Sequence, residues 1–328
     1  MAASRRTKLL TLLAVMLSYL KARDFVLQRA EVVGRRIGPR WLGMVAWHIL
    51  NLYSRIAGVR NISEISDNPD KLDPSKRYLI VWHPHGFIAW SALFIASRMA
   101  VLGHPHGREW FAMVAPALFR IPLISELLML VNGRRVDKKI VDNYLEKGLS
   151  IAIQPGGVRE QIATTHEQEQ AIFPANLGFV RMALKYKMDM LPAYLFNENQ
   201  MYKRVSGYER FTTWIYENTG FGMPVLTGRF GIPMLMGFPN PTDVHVRWGR
   251  PVVVEEQAAE PTEQQVEELF CRYLNELRRL FENHAHDCLP PEVAARGLKI
   301  VRLDGKPIPP YEPEALPAPP PATATSRL

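Results

Sequence analysis

The chain has 328 residues, 47% of them apolar and 22% charged, with a mean hydropathy of −0.10. This composition excludes a wholly disordered, collagenous or polytopic membrane protein, and the length fits one large or two small cored domains. Forty Lys and Arg against 32 Asp and Glu leave a net charge of +8, which suits an anionic partner such as a phosphate-bearing cofactor, nucleic acid or acidic lipid.

Two apolar stretches open the chain. Residues 9–20 follow Arg5, Arg6 and Lys8; as a helix they would rise only ~18 Å, short of the ~30 Å hydrocarbon core of a bilayer. Lys21, Ala22, Arg23 and Asp24 stand where a signal peptide would place a small-x-small cleavage site. Residues 41–53 carry Trp41, Trp47 and Tyr53 beside His48 and Asn51, a mixture that favours the headgroup level. Residues 1–60 are therefore expected to form a short anchor and an interfacial helix rather than a clean span. The competing expectation is a pair of ordinary core helices.

From Tyr78 onward, short apolar runs alternate with helical stretches, as in βαβ units. Strands are predicted over residues 78–82, 150–154 and 190–196, and an extended pair over 244–254, interrupted at Gly249. Helices are predicted over residues 88–102, 138–147, 176–187 and 262–283. The last is the clearest: Val266, Leu269, Phe270, Tyr273, Leu274, Leu277, Leu280 and Phe281 recur at threes and fours behind a Thr262–Gln265 capping box. Tyr273 and Cys271 read as packing residues on that helix. Cys271 and Cys288 are too few for a disulfide framework and lack His or Cys at metal-ligand spacing, which favours a reducing compartment and excludes a zinc finger. Residues 305–328 are rich in Pro and Ala and read as a disordered tail. The expected fold is a single α/β domain over residues 61–304, a mostly parallel sheet flanked by helices.

Two clusters follow predicted strands directly: His83-Pro84-His85-Gly86, and Pro155-Gly156-Gly157-Val158-Arg159-Glu160. The carboxyl ends of parallel strands share one edge, where ligands bind, so the two clusters should meet although 75 residues separate His85 from Glu160. Pro84 stiffens its turn, and Gly156 and Gly157 allow backbone N–H groups to approach a ligand. An imidazole near its ordinary pKa and a carboxylate suit acyl transfer to a hydroxyl, with exposed amides to stabilise an oxyanion. With no Gly-x-Ser-x-Gly elbow and no Cys beside a His, direct attack by the acceptor alcohol is expected rather than a covalent acyl-enzyme. Alone, a His-x-His turn is also read as a polar loop or a metal site. A second His-Pro-His-Gly at residues 104–107 follows a helical stretch and reads as a loop.

The His-Pro-His-Gly after a strand, with Asp73-Pro74-Ser75-Lys76 upstream and Pro-Gly-Gly-x-x-Glu at 155–160, resembles the type-2 diacylglycerol acyltransferase family, which includes monoacylglycerol and wax-ester acyltransferases. So do the blocks Leu177-Gly178-Phe179-Val180-Arg181-Met182-Ala183, Leu191-Pro192-Ala193-Tyr194, Asn197-Glu198-Asn199, Gly228-Arg229-Phe230 and Trp248-Gly249-Arg250-Pro251. The resemblance implies a glycerolipid acyltransferase-like fold on the cytosolic face of the endoplasmic reticulum or on lipid droplets. It implies transfer of a fatty acyl group from acyl-CoA to diacylglycerol, giving triacylglycerol, with monoacylglycerol or a long-chain alcohol as alternative acceptors. By the same resemblance His85 would be the base and Glu160 its partner, His83 and Gly86 would shape the turn, and Gly156 and Gly157 would form the acyl or oxyanion site. Pro84, Pro155, Arg159, Asn197 and Glu198 join the substrate-binding set. Related glycerolipid acyltransferases carry an Asp five positions after a His; here Ile88 and Trp90 stand at those places, so Glu160 must serve. Phe196-Asn197 stands where many members have Phe-Gly.

The positive charge then reads as a site for the phosphates of acyl-CoA at Arg134, Arg135, Lys138 and Lys139, with Arg181 added, against a plain solvated helix surface. Residues 211–238, rich in aromatics, Met and Gly, read as an acyl-tunnel wall, a membrane-dipping loop or irregular core. Acyl-CoA is expected as substrate with no further cofactor, no metal and no nucleic acid, and the chain is compatible with a homo-oligomer. The rival readings are a lipid-binding lipid-droplet protein without turnover, and a metal-dependent hydrolase using His83, His85 and Glu160 as ligands.

Overall fold

The computed structural model describes residues 2–35, 37–59, 62–68, 72–73, 75–87, 89, 110–222, 224–233 and 238–312. The helix predicted over 88–102, the second His-Pro-His-Gly and residues 313–328 of the tail lie outside the described residues.

Helix α1 (Ala2–Val33) runs well past the expected stretch, and α2 (Arg40–Ala57) covers the second one. The distal half of α1 docks through polar contacts: Tyr19 donates to Glu126 at 2.6 Å, and Arg23 donates to the Ser125 hydroxyl at 3.0 Å and to the Phe119 carbonyl. Leu9, Leu10, Leu12, Val15 and Met16 on its proximal half are exposed. Helix α2 is apolar on both faces. Gly43, Ala46, Leu50, Ser54 and Ala57 are buried, while Trp41, Val45, Ile49, Leu52 and Ile56 face outward. Among the described residues, no helix is long and apolar enough to cross a membrane.

The strands β1 (Ile62–Ser66), β2 (Tyr78–His83) and β3 (Trp110–Val114) are followed by α3 (Ile124–Leu130), β4 (Gly133–Arg135), α4 (Lys138–Glu146) and β5 (Ser150–Ile153). Then come α5 (Gly157–Ala163), β6 (Glu169–Phe173), α6 (Gly178–Tyr186), β7 (Asp189–Phe196) and β8 (Lys203–Arg204). The chain continues with α7 (Glu209–Thr219), β9 (Leu226–Thr227), β10 (Val244–Trp248), α8 (Glu263–Cys288), α9 (Pro291–Ala294) and β11 (Leu298–Arg302). The main sheet has the order β1-β10-β7-β2-β5-β3-β4, parallel throughout except where β10 meets β7. This is the expected α/β class, a mostly parallel sheet flanked by helices. Residues past Gly249 return only as a bridge, Val252 against Met190, so the extended pair predicted over 244–254 is one strand plus that bridge.

Period-2 alternation along β2 decides what faces what. Tyr78, Ile80 and Trp82 join one apolar cluster; Leu79 and Val81 join the other, together with α4, α6 and α8. His83 continues the Leu79–Val81 series, so its ring is aimed into the larger core. Helix α8 seals that core with the predicted stripe, and its Thr262–Gln265 capping box is formed. Its Phe270 and Tyr273 rings meet the Phe173 ring of β6 at 5.0 and 6.1 Å. Among the described residues, strand β6 pairs only with β11, in a separate two-stranded parallel sheet.

Candidate active site

The site is built where β2 and β5 end. Strand β2 runs one residue further than predicted and closes on His83, which is fully buried against Phe173 with ring centroids 5.1 Å apart. The His83–Pro84 peptide bond is cis. After β5 the chain turns at Gln154–Gly157, where the Gly157 N–H donates to the Gln154 carbonyl at 3.1 Å. The Gly157 amide thus closes its own turn. Helix α5 then carries Glu160 back under the β2 loop.

The two distant clusters meet at the Glu160 carboxylate, which is only 1% exposed. Its Oε1 accepts the backbone N–H of His85 at 2.5 Å, and its Oε2 accepts the Ile172 N–H of β6 at 2.9 Å. The same Oε2 lies 3.4 Å from His83 Nδ1, in ion-pair range but off hydrogen-bond direction, so neither His83 nitrogen has a hydrogen-bond partner among the described residues. The imidazole that meets the carboxylate is thus that of His83, while Glu160 grips His85 by its main chain. Gln154 and Gln161 extend the clamp, donating to the Pro84 and Phe87 carbonyls at 3.3 and 2.6 Å.

The His85 ring is the one with solvent access. Its Nδ1 lies 3.3 Å from the Gly86 carbonyl. A carbonyl only accepts, so the contact assigns the proton of the neutral ring to Nδ1 and leaves the Nε2 lone pair to take a proton. Burial lowers the pKa of this imidazole below its ordinary value of 6.5, against the upward pull of the Glu160 charge. The neutral, proton-accepting form therefore dominates at neutral pH.

The Pro-Gly-Gly-x-x-Glu spacing has a steric cause. A Cβ on Gly156 would lie 2.1 Å from Glu160 Oε2, so only glycine lets the carboxylate fold back over the turn. Gly157 meets nothing within 4 Å but has φ +49°, a left-handed conformation that favours glycine. Gly86 combines both demands: φ is +67°, and a Cβ would lie 2.4 Å from Glu198 Cγ. Glu198 is buried beneath the loop, and Asn197 before it adopts φ +68°. Asn tolerates that region better than other non-glycine residues, so it keeps the backbone a glycine would give. Pro84 is buried, and Pro155 is half-buried at the turn with Arg159 exposed on α5. The Gly156→Ala variant is expected to lose acyl transfer by about 10²-fold through misplacement of Glu160. Turnover of the purified variant checks this, and wild-type turnover would show that the carboxylate's position is not required.

Residues 134–139 do not form the single solvent-facing cluster expected from the sequence. Arg134 is 1% exposed and donates to the Tyr144 hydroxyl at 2.7 Å and to the Gly133 and Arg35 carbonyls at 2.7 and 3.0 Å. Arg135 forks onto Glu31 of α1, its Nη2 donating to Oε2 at 2.6 Å. Arg135 thus docks α1, and Arg134 holds the backbone just past its end. Lys138 pairs with Asp142 at 2.7 Å, Lys139 is exposed, and Arg181 pairs with Glu263 at 2.5 Å on α8. Among the described residues, no group of three or more His, Cys, Asp and Glu side chains is arranged to hold a metal.

A family model described as diacylglycerol acyltransferase matches residues 47–293, most of the chain. The chain belongs to the diacylglycerol acyltransferase family. It is 33% identical over 226 residues to the 2-acylglycerol O-acyltransferase 1 of Bos taurus, covering 65% of this chain and 67% of that one. It is 27% identical over 243 residues to the diacylglycerol O-acyltransferase 2 of Dictyostelium discoideum, covering 70% and 71%. Among solved structures it resembles the 1-acyl-sn-glycerophosphate acyltransferase PlsC of Thermotoga maritima, with a TM-score of 0.42 at 14% identity, covering 81% and 83%. The matched family segment includes β2, α5, β6 and β7, so all the residues gathered around Glu160 lie within it.

Proposed function

We propose that this acyltransferase moves a fatty acyl group from acyl-CoA to the free hydroxyl of diacylglycerol, with His85 as the general base. The observation that carries the reading is the hydrogen bond from the His85 amide to Glu160, which joins two motifs 75 residues apart into one rigid turn. His85 Nε2 takes the proton of the acceptor hydroxyl as its oxygen attacks the thioester carbon. The C–S bond breaks, the ester forms, and the imidazolium returns the proton to the departing thiolate. Glu160 fixes the turn through the His85 main chain and supplies a negative charge that stabilises the imidazolium. His83 fills the space behind the turn. Asn197 and Glu198 act as the floor of the loop, and Lys139 and Arg159, both exposed, are assigned to acyl-CoA phosphate.

The reading extends to a membrane-surface enzyme at the cytosolic face of the endoplasmic reticulum or a lipid droplet. The outward stripe Trp41, Val45, Ile49, Leu52 and Ile56 of α2 and the exposed leucines of α1 support it, because apolar rows of that length favour a lipid boundary over water. The Phe211–Trp214 and Phe230–Phe238 ring pairs add exposed aromatic surface. A second reading, with monoacylglycerol as acceptor, is favoured by the 33% identity to a 2-acylglycerol acyltransferase. Expression in a host that makes no storage neutral lipid, followed by lipid extraction, separates the two. Triacylglycerol from supplied diacylglycerol supports the first reading, and diacylglycerol alone from supplied monoacylglycerol overturns it in favour of the second.

A further inference from the structure

Glu169 has no part in the chemistry above, yet it is a fully buried carboxyl at the start of β6. Its Oε2 accepts two hydrogen bonds, from the Tyr194 hydroxyl at 2.8 Å and from the Asn199 amide at 2.9 Å. Its Oε1 has no hydrogen-bond partner among the described residues. Both donors lead to the site. Tyr194 is the register partner of His83 across the β2–β7 ladder. Asn199 lies in the short 3₁₀ turn Glu198–Met201, whose Glu198 packs against Gly86 so closely that a Cβ there would lie 2.4 Å from Glu198 Cγ. The strand that carries Glu169 also supplies the Ile172 N–H that Glu160 accepts.

We propose that Glu169 is a positioning residue for His85, acting through Asn199 and the Glu198 turn on Gly86 and through Tyr194 on the end of β2. The inference rests on the reading of His85 as base.

One carboxyl oxygen collects two donors from different segments, which an apolar side chain in its place would leave unsatisfied inside the core. Its charge state matters to the same contacts. Burial, with the nearby Glu160 and Glu198 charges, raises its pKa to about 7 against the lowering effect of the Tyr194 and Asn199 hydrogen bonds. The titratable groups that face it are Tyr194 from β7, Glu160 from α5 and Glu198 from the 3₁₀ turn; across the β6–β11 ladder its partner is the apolar Leu298. Below that pKa the group is neutral and the network rests. Above it, a third negative charge stands beside Glu160 and Glu198, and repulsion pushes the Glu198 turn away from Gly86. Turnover should therefore fall as pH rises through about 7.

The test compares pH profiles of acyl transfer by full-length wild type, E169Q, E169L and Y194F, with H85A alongside and circular dichroism to check folding. Gln keeps an acceptor oxygen and cannot ionise, so E169Q should keep kcat within about threefold of wild type at acid pH and lose the alkaline fall. Leu removes the acceptor, so E169L should lower kcat by about 10–10²-fold with little change in KM for acyl-CoA. Y194F removes a bond that favours the charged form and should move the alkaline fall to higher pH. An E169Q profile that retains the wild-type alkaline fall overturns the inference, as does a folded E169L with wild-type kcat. If E169L does not fold, the E169Q and Y194F profiles decide. Failure of the underlying reading is distinct: an active H85A overturns the base assignment, whereas an inactive H85A beside unchanged Glu169 variants overturns this inference alone.

Discussion

Replacing His85 with alanine is expected to lower kcat by ~10²–10⁴-fold, the usual contribution of a positioned base, while the protein folds normally. The ring is half-buried, and its Nδ1 lies on the Gly86 carbonyl, so truncation removes that local contact and leaves the apolar core clusters intact. The Glu160 clamp survives because it holds the His85 main chain. Radiolabelled acyl-CoA and glyceride acceptor give the rate, and thermal unfolding gives the stability control. A folded His85→Ala with wild-type turnover would remove His85 from the mechanism.

Glu160→Ala should fail in both respects. Two buried N–H donors, of His85 and Ile172, would lose their acceptor, and the buried His83 ring would lose the charge 3.4 Å away. Hydrogen bonds to a charged group contribute ~1.5–3 kcal/mol each, so losing both costs about 3–6 kcal/mol. A loss of that order lowers the unfolding midpoint by roughly 10 °C for a domain of this size. Activity should fall with it by at least ~10²-fold, since the turn that carries His85 loses its anchor. Differential scanning calorimetry with the transfer assay reads both; an unchanged midpoint would mean that Glu160 does not brace the site.

Strands β2, β5, β7 and β10 and the clearest helix are legible in the sequence because their patterns are local, whereas β1, β3 and β4 of the same sheet are not among the predicted strands. The α8 stripe and the alternating face of β2 need nothing beyond periodicity. The same periodicity carries a signal about His83 that a strand ending at Trp82 hides: it follows Leu79 and Val81 by twos, and so belongs to the core face rather than the rim. Strand β6 escapes prediction because it opens with Glu169 and Gln170, whose burial depends on partners far along the chain. Arg134 and Arg135 show the same limit, since charge is visible in a sequence but the Tyr144 hydroxyl and Glu31 that absorb it are not. The Pro-Gly-Gly-x-x-Glu spacing is readable as a turn, while its reason, the folding of a carboxylate over Gly156, needs three dimensions. Asn197 in a left-handed conformation shows how a departure from the family pattern leaves the backbone in place.

The most direct measurement of the central claim is the acid side of the pH profile of kcat/KM. Protonated His85 cannot accept the hydroxyl proton, so the rate must fall as pH drops through its pKa, and burial places that pKa below the ordinary imidazole value of 6.5. The account predicts an acid limb governed by a single group below 6.5 that is absent from the residual activity of the His85→Ala variant. A profile that stays level throughout the imidazole range, or a variant that keeps the same limb, would contradict it.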